Sequence, residues 1–197
     1  MSTHLRRVGL AFFCALLGSC LGGGGADDGG GGGGPSSCTS ITGGTSQVTT
    51  AIGTGCFGCS VADAQAAVDG DLTTSATVTA PESFTGDGAR IRATAQSGLV
   101  FPDGQTVAVF FESPAFGGLN PPDTAVTIKT FLSGEQQDSP TTYTTVLQDP
   151  SNGRPYSFKG FVATKAFDSV EVMVSDTQGA SGPWQIHEIC SDATAPE

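Results

Sequence analysis

What most constrains this chain is a series of nine short segments rich in β-branched and aromatic residues, with no helical period sustained for ten residues anywhere between them. They are TSQVTTAI (45–52), SATVTA (75–80), ARIRATA (89–95), TVAVFFE (106–112), AVTIKTFL (125–132), YTTVL (143–147), YSFKGFV (156–162), SVEVMVS (169–175) and WQIHEI (184–189). Two of them alternate. Ile91, Ala93 and Ala95 share one face while Arg90 and Arg92 take the other, and Val170, Val172 and Val174 point one way in SVEVMVS. A period of two is the signature of a half-buried strand. Turn chemistry separates them: Pro102-Asp103-Gly104, Pro121-Pro122-Asp123, Asp149-Pro150-Ser151-Asn152-Gly153, and Gly179 to Pro183. ADAQAAV (62–68) is the best helical candidate and is one or two turns long. Short strands at this spacing predict an all-β chain folded as an antiparallel β-sandwich or jelly roll.

The sandwich does not start at residue 1. Arg6 and Arg7 precede the apolar run Val8 to Leu17, followed by Gly18-Ser19-Cys20. A basic stretch, a short apolar core and small residues describe an export signal. Ten apolar residues are too few for a span, which needs about 20. LGSC resembles the lipobox of bacterial lipoproteins. That resemblance implies a signal at 1–19, Cys20 as the lipidated first mature residue, and a membrane partner through the lipid. Leu21, where an aspartate would favour inner-membrane retention, points to the outer membrane. Residues 20–37 include GGGGADDGGGGGG, which has nothing to bury and reads as a tether. Sixteen flexible residues, 22–37, span about 20–24 Å. A phosphate-binding glycine loop fails here, since no strand precedes the tract and no Lys-Ser/Thr closes it. The predicted domain is 38–191, with 192–197 as a short tail.

Beyond residue 19 there are six lysines and arginines against 19 aspartates and glutamates, a formal net of −13. Phosphate binding wants the opposite sign, so nucleic acid is not an expected partner. Cys38, Cys56, Cys59 and Cys190 remain once Cys14 leaves with the signal and Cys20 takes lipid. An even number in an exported chain predicts two disulfides, with three pairings open. Two other readings compete. A redox Cys56-Phe57-Gly58-Cys59 would want a thioredoxin-like βαβ setting. A Cys₄ zinc site would want a second close pair.

VDGDLTT (68–74) raises the question of a metal loop. An EF-hand starting at Asp69 needs a glutamate at its twelfth position, and residue 80 is Ala. By itself, Asp69 can cap a turn and Gly70 can take a positive φ. The pattern A-V-D-G-D-L-x-T, set early in an all-β domain that closes on I-H-E-I, resembles the galactose-binding-like jelly rolls. That family includes discoidin domains and many carbohydrate-binding modules. The resemblance implies a structural Ca²⁺ held by the carboxylate of Asp69, a carbonyl or carboxylate of Asp71, an oxygen of Thr74 or Ser75, the His187 carbonyl and Glu188. It also implies carbohydrate as ligand. One departure is Ser75-Ala76-Thr77, where discoidin-type chains place an aromatic. The aromatics Phe84, Phe116, Tyr143, Tyr156 and Trp184 are scattered along the chain, and core is the first expectation for each.

No enzyme is expected. The single mature histidine, His187, sits in a strand beside a glutamate, and no G-x-S-x-G accompanies it. The leading expectation is a lipid-anchored outer-membrane protein whose sandwich binds or adheres, contacting glycans or a surface partner. A structural lipoprotein contacting other envelope proteins is the alternative, and a small hydrolase the third. Aromatics beside a concave face favour the first. An apolar patch of several hundred Å² favours the second. A pocket floored by paired carboxylates or His187 favours the third.

Overall fold

The structure is a computed structural model, and it describes residues 37–41, 47–83, 87–114, 125–146, 157–175 and 182–195. The predicted leader, Cys20, the glycine tract, Phe84, Phe116 and Tyr156 lie outside these residues. Among the described residues fourteen strands form: β1 (Cys38–Ser40), β2 (Gln47–Ile52), β3 (Cys56–Phe57), β4 (Ser60–Ala62), β5 (Ala76–Thr79), β6 (Glu82–Ser83), β7 (Ala89–Thr94), β8 (Thr106–Glu112), β9 (Val126–Leu132), β10 (Glu135–Gln136), β11 (Thr144–Val146), β12 (Ser157–Val162), β13 (Ser169–Val174) and β14 (Trp184–Ala193). All nine predicted segments contain a strand. The helical candidate shrinks to one 3-10 turn, Ala64–Ala67.

Two antiparallel sheets form the sandwich. One runs β11-β12-β8-β14-β5-β4 with β1 also on β14, and the other runs β10-β9-β13-β7-β2. If β5, β7, β8, β9, β10, β12, β13 and β14 are numbered one to eight, the sheets read 1-8-3-6 and 2-7-4-5. That is jelly-roll order, with first and last strands paired. Val107, Val109 and Phe111 of β8 and Ile186 and Ile189 of β14 join Ile91 of β7, Ile128 of β9 and Val170, Val172 and Val174 of β13 in one core. In β7 the predicted alternation holds, with Ala89, Ile91 and Ala93 buried. β13 is buried along its whole length because it is a central strand and long side chains of its neighbours lie over its outer face. Lys159 is also buried, its Nζ donating to Val126 O at 2.5 Å and lying 4.3 Å from the Tyr143 ring.

A second, smaller cluster sits on the other side of β8, where Phe110 and Phe158 pack edge to face at 5.3 Å with Ala108 and Cys190. Trp184 is core, against Phe111 at 5.7 Å. The disulfides are Cys38–Cys190, which ties β1 to β14, and Cys56–Cys59, which closes a tight loop. The first explains why β14 runs to Ala193, past the predicted strand end. Three residues of β1 pair with its last turn of sequence, and the bond secures so short a strand.

Candidate functional site

On one flank β14 is paired by β8. On the other, β5 covers Trp184 to Ile186 and β1 covers Cys190 to Ala193. Ile41 N–H donates to Ile189 O at 3.2 Å, so His187 and Glu188 are left between β5 and β1, and the loop after the 3-10 turn meets them there. A β-bulge falls between Ile186 and Glu188 in the pairing with β8. The extra residue lets Ile186 and Ile189 both reach the core. It also sets two polar residues in succession at the gap, the kind of re-aiming bulges perform.

The loop is built by its own side chains. Asp71 N–H donates to Asp69 Oδ1 at 2.9 Å, and Thr73 donates to Asp71 Oδ1 through N–H at 2.8 Å and hydroxyl at 2.6 Å. The Thr73 bonds hold the exposed Asp71 carboxyl below its usual range. Gly70 has φ of 80°, the left-handed region its sequence position suggests. The Gly70 N–H then donates to Glu188 Oε2 at 2.9 Å, across 118 residues of chain. Topology therefore brings Asp69-Gly70-Asp71 and Glu188 together.

Oxygens crowd around Thr74. Its hydroxyl lies 2.8 Å from Asp69 Oδ2, 3.0 Å from Asp71 O and 3.4 Å from Ala66 O. Ser75 is not part of this group, since its hydroxyl donates to Gln185 Oε1 at 2.9 Å. The His187 ring is also engaged elsewhere. Nδ1 donates to Thr74 O at 2.9 Å, because a carbonyl only accepts, and Nε2 faces Glu112 Oε1 at 3.1 Å. The ring thus ties the loop to β8, a role that sequence reading missed together with Glu112 itself. Neither partner is adjacent in sequence, so only pairing reveals it.

Glu188 is the unusual member. It is 1% exposed, and Oε1 is buried with no hydrogen-bond partner among the described residues. Burial pushes its carboxyl up to about 7, against the pull of the Ser40 hydroxyl and the Gly70 N–H, and the charges of Asp69 and Asp71 push the same way as burial. A buried oxygen without a partner costs about 1–3 kcal/mol or more when charged.

The donor set bears on which metal could fit. Among the described residues, no three His, Cys, Asp or Glu side chains are gathered as a metal cluster. Any cation here would depend on carbonyl and hydroxyl oxygens beside Asp69 and Glu188. Hard oxygen donors of mixed kind suit Ca²⁺, which takes six to eight of them, and not the N/S preference of zinc. The Asp71 carboxylate is turned to Thr73, so Asp71 meets Thr74 through its carbonyl.

A separate concavity opens where residues 137–144 cross β12. It encloses about 470 Å³, with Tyr143 and Phe161 among its lining and Gln137, Asp138, Thr142 and Thr144 around them. Tyr143 is fixed at three points. Its hydroxyl exchanges hydrogen bonds with Ile128 N and O at 3.2 and 3.3 Å, its ring meets Phe161 edge-on at 6.0 Å, and Lys159 lies against it. Burial raises its phenol, with the Ile128 bond pulling the other way. Asp138 accepts from Thr164 N and Oγ1 at 3.1 and 2.5 Å and from Lys165 N at 3.2 Å, so its carboxylate is occupied. No family model, curated protein or solved structure matches this chain.

Proposed function

We propose that this chain is a lipid-anchored carbohydrate-binding module of the outer membrane, its jelly roll held off the bilayer by the glycine tract and closed at Asp69 and Glu188 by a structural Ca²⁺. The cavity at Tyr143 carries the binding reading. An aromatic-lined hollow of about 470 Å³ ringed by hydroxyl and amide groups suits a small polar ligand with apolar faces. A sugar has that character, with C–H faces for the rings and hydroxyls for Gln137, Thr142 and Thr144. Because the one carboxylate on the rim is already bonded to Thr164 and Lys165, a neutral sugar fits better than a charged one. Tyr143 is locked before the ligand arrives, which lowers the ordering cost of binding.

Calcium would be held by Asp69, Asp71 O, Thr74 and Glu188 and would supply charge to a buried carboxylate. It acts on stability, away from the ligand. The test of the binding reading is a glycan array with the purified full-length chain and its Thr142→Trp variant, which crowds the cavity from an exposed rim position. Retention of neutral glycans by wild type and its loss in a variant of unchanged melting temperature supports the proposal. Retention of none by wild type removes it in favour of an envelope-assembly role.

A further inference from the structure

Positive charge is unevenly placed in this acidic chain. Of the six lysines and arginines beyond the leader, Arg90, Arg92 and Lys129 lie on the outer face of the five-stranded sheet. Register sets the arrangement: Thr49 of β2, Arg92 of β7, Glu171 of β13 and Lys129 of β9 form one cross-strand row. Arg92 Nε and Nη2 donate to Glu171 Oε2 at 3.1 and 2.7 Å, and its guanidinium lies 3.7 Å above the Phe131 ring. Arg90 pairs with Asp87. Lys129 makes no ion pair among the described residues. A groove of about 250 Å³ runs here, lined by Arg90, Arg92 and Glu171 and bordered by the exposed Thr49, Thr50 and Ala51.

Among the described residues, three cations against Asp87 and Glu171 leave this face one charge positive, in a chain that is strongly negative as a whole. An anionic ligand is repelled elsewhere and drawn here. The Arg92 fork is held flat by Glu171 and Phe131, so little freedom is lost when a carboxylate meets its remaining N–H groups. Thr49 stands next to Arg92 at the edge of the row, which sets a hydroxyl beside a carboxylate-binding guanidinium and suits a ligand carrying hydroxyls and carboxylates together.

We propose that the outer face of the five-stranded sheet binds a segment of carboxylated polysaccharide, a polyuronate, with its carboxylates on Arg90, Arg92 and Lys129 and a hydroxyl on Thr49. This rests on the carbohydrate reading above but uses the opposite sheet from the Tyr143 cavity. The test measures binding of oligogalacturonate, neutral dextran oligomers and dextran sulfate to the full-length chain and to Lys129→Glu, Arg90→Gln and Thr142→Trp. Oligogalacturonate should bind best, weaken with salt, and lose about tenfold or more in affinity in Lys129→Glu while Thr142→Trp leaves it unchanged. Arg90→Gln decides the matter if Lys129→Glu melts lower than wild type. Undiminished binding in the decisive variant, or a preference for dextran sulfate, overturns the assignment. If neutral glycans bind and oligogalacturonate does not, this inference alone fails. If neither binds, the carbohydrate reading fails with it.

Discussion

Glu188 has a buried carboxyl with no hydrogen-bond partner at Oε1 among the described residues. In the metal-free chain its folded carboxyl titrates at about 7, above its ordinary value of 4.5, chiefly because it is buried. The folded state therefore holds a proton that the unfolded state has lost between those values. This contribution to stability is fully present below pH 4.5 and is lost as pH rises through about 7. It is worth up to roughly 3 kcal/mol. Metal-free protein should melt at a lower temperature at pH 8 than at pH 5, and Glu188→Gln should flatten that slope. An unchanged slope in the variant would place the titration elsewhere. Gly70 offers a second check at this scale. Its φ of 80° is strained for any side chain although a Cβ would meet nothing within 4 Å. Gly70→Ala should cost about 1–2 kcal/mol in denaturant unfolding, and a neutral result would show that the loop relaxes. In sequence, Asp69 and Glu188 were readable as partners only through resemblance. Ser40, Glu112 and the bulge at His187 left no signal, because each acts through a contact made by distant chain.

Strands were the legible elements, since nine segments dense in β-branched residues can hardly do otherwise in an antiparallel sheet. What escaped were β1, β3, β4, β6 and β10, each two or three residues long and too short to show a period. They pair because tertiary structure brings a partner to them. The strand order was likewise invisible, since it depends on which distant segments pair. The same distinction separates the disulfides. Cys38–Cys190 joins residues 152 apart, and Cys56–Cys59 residues 3 apart. Loop-closure entropy gives about 5 kcal/mol for the first and about 2 kcal/mol for the second. Cys38→Ala with Cys190→Ala should therefore lower the unfolding free energy more than Cys56→Ala with Cys59→Ala. Equal losses would mean that the Cys38 bond only decorates a strand already held by β14.

As a whole molecule, the chain has a domain closed between its first and last jelly-roll strands, and the proposed leader and tether lie outside the described residues. Anchoring is tested by fractionation. Cys20→Ser should move the protein from membrane to soluble fraction, because stable attachment depends on acyl chains, and equal retention would show another anchor. The closure of the domain is where the loop and the last strand meet, and where the proposed cation would sit. Without a cation, Asp69 and a deprotonated Glu188 repel each other above pH 7. With one, binding to the native state alone adds RT ln(1 + [Ca²⁺]/Kd), about 2.7 kcal/mol at a hundredfold excess over Kd. The most direct measurement is thermal melting of the full-length chain at pH 8, in millimolar calcium and in excess chelator, for wild type, Asp69→Ala and Glu188→Gln. Calcium should raise the wild-type melting temperature by several degrees and leave both variants unmoved. A wild-type protein that melts at the same temperature in calcium and in chelator would contradict a calcium closure and leave VDGDLTT as a hydrogen-bonded turn.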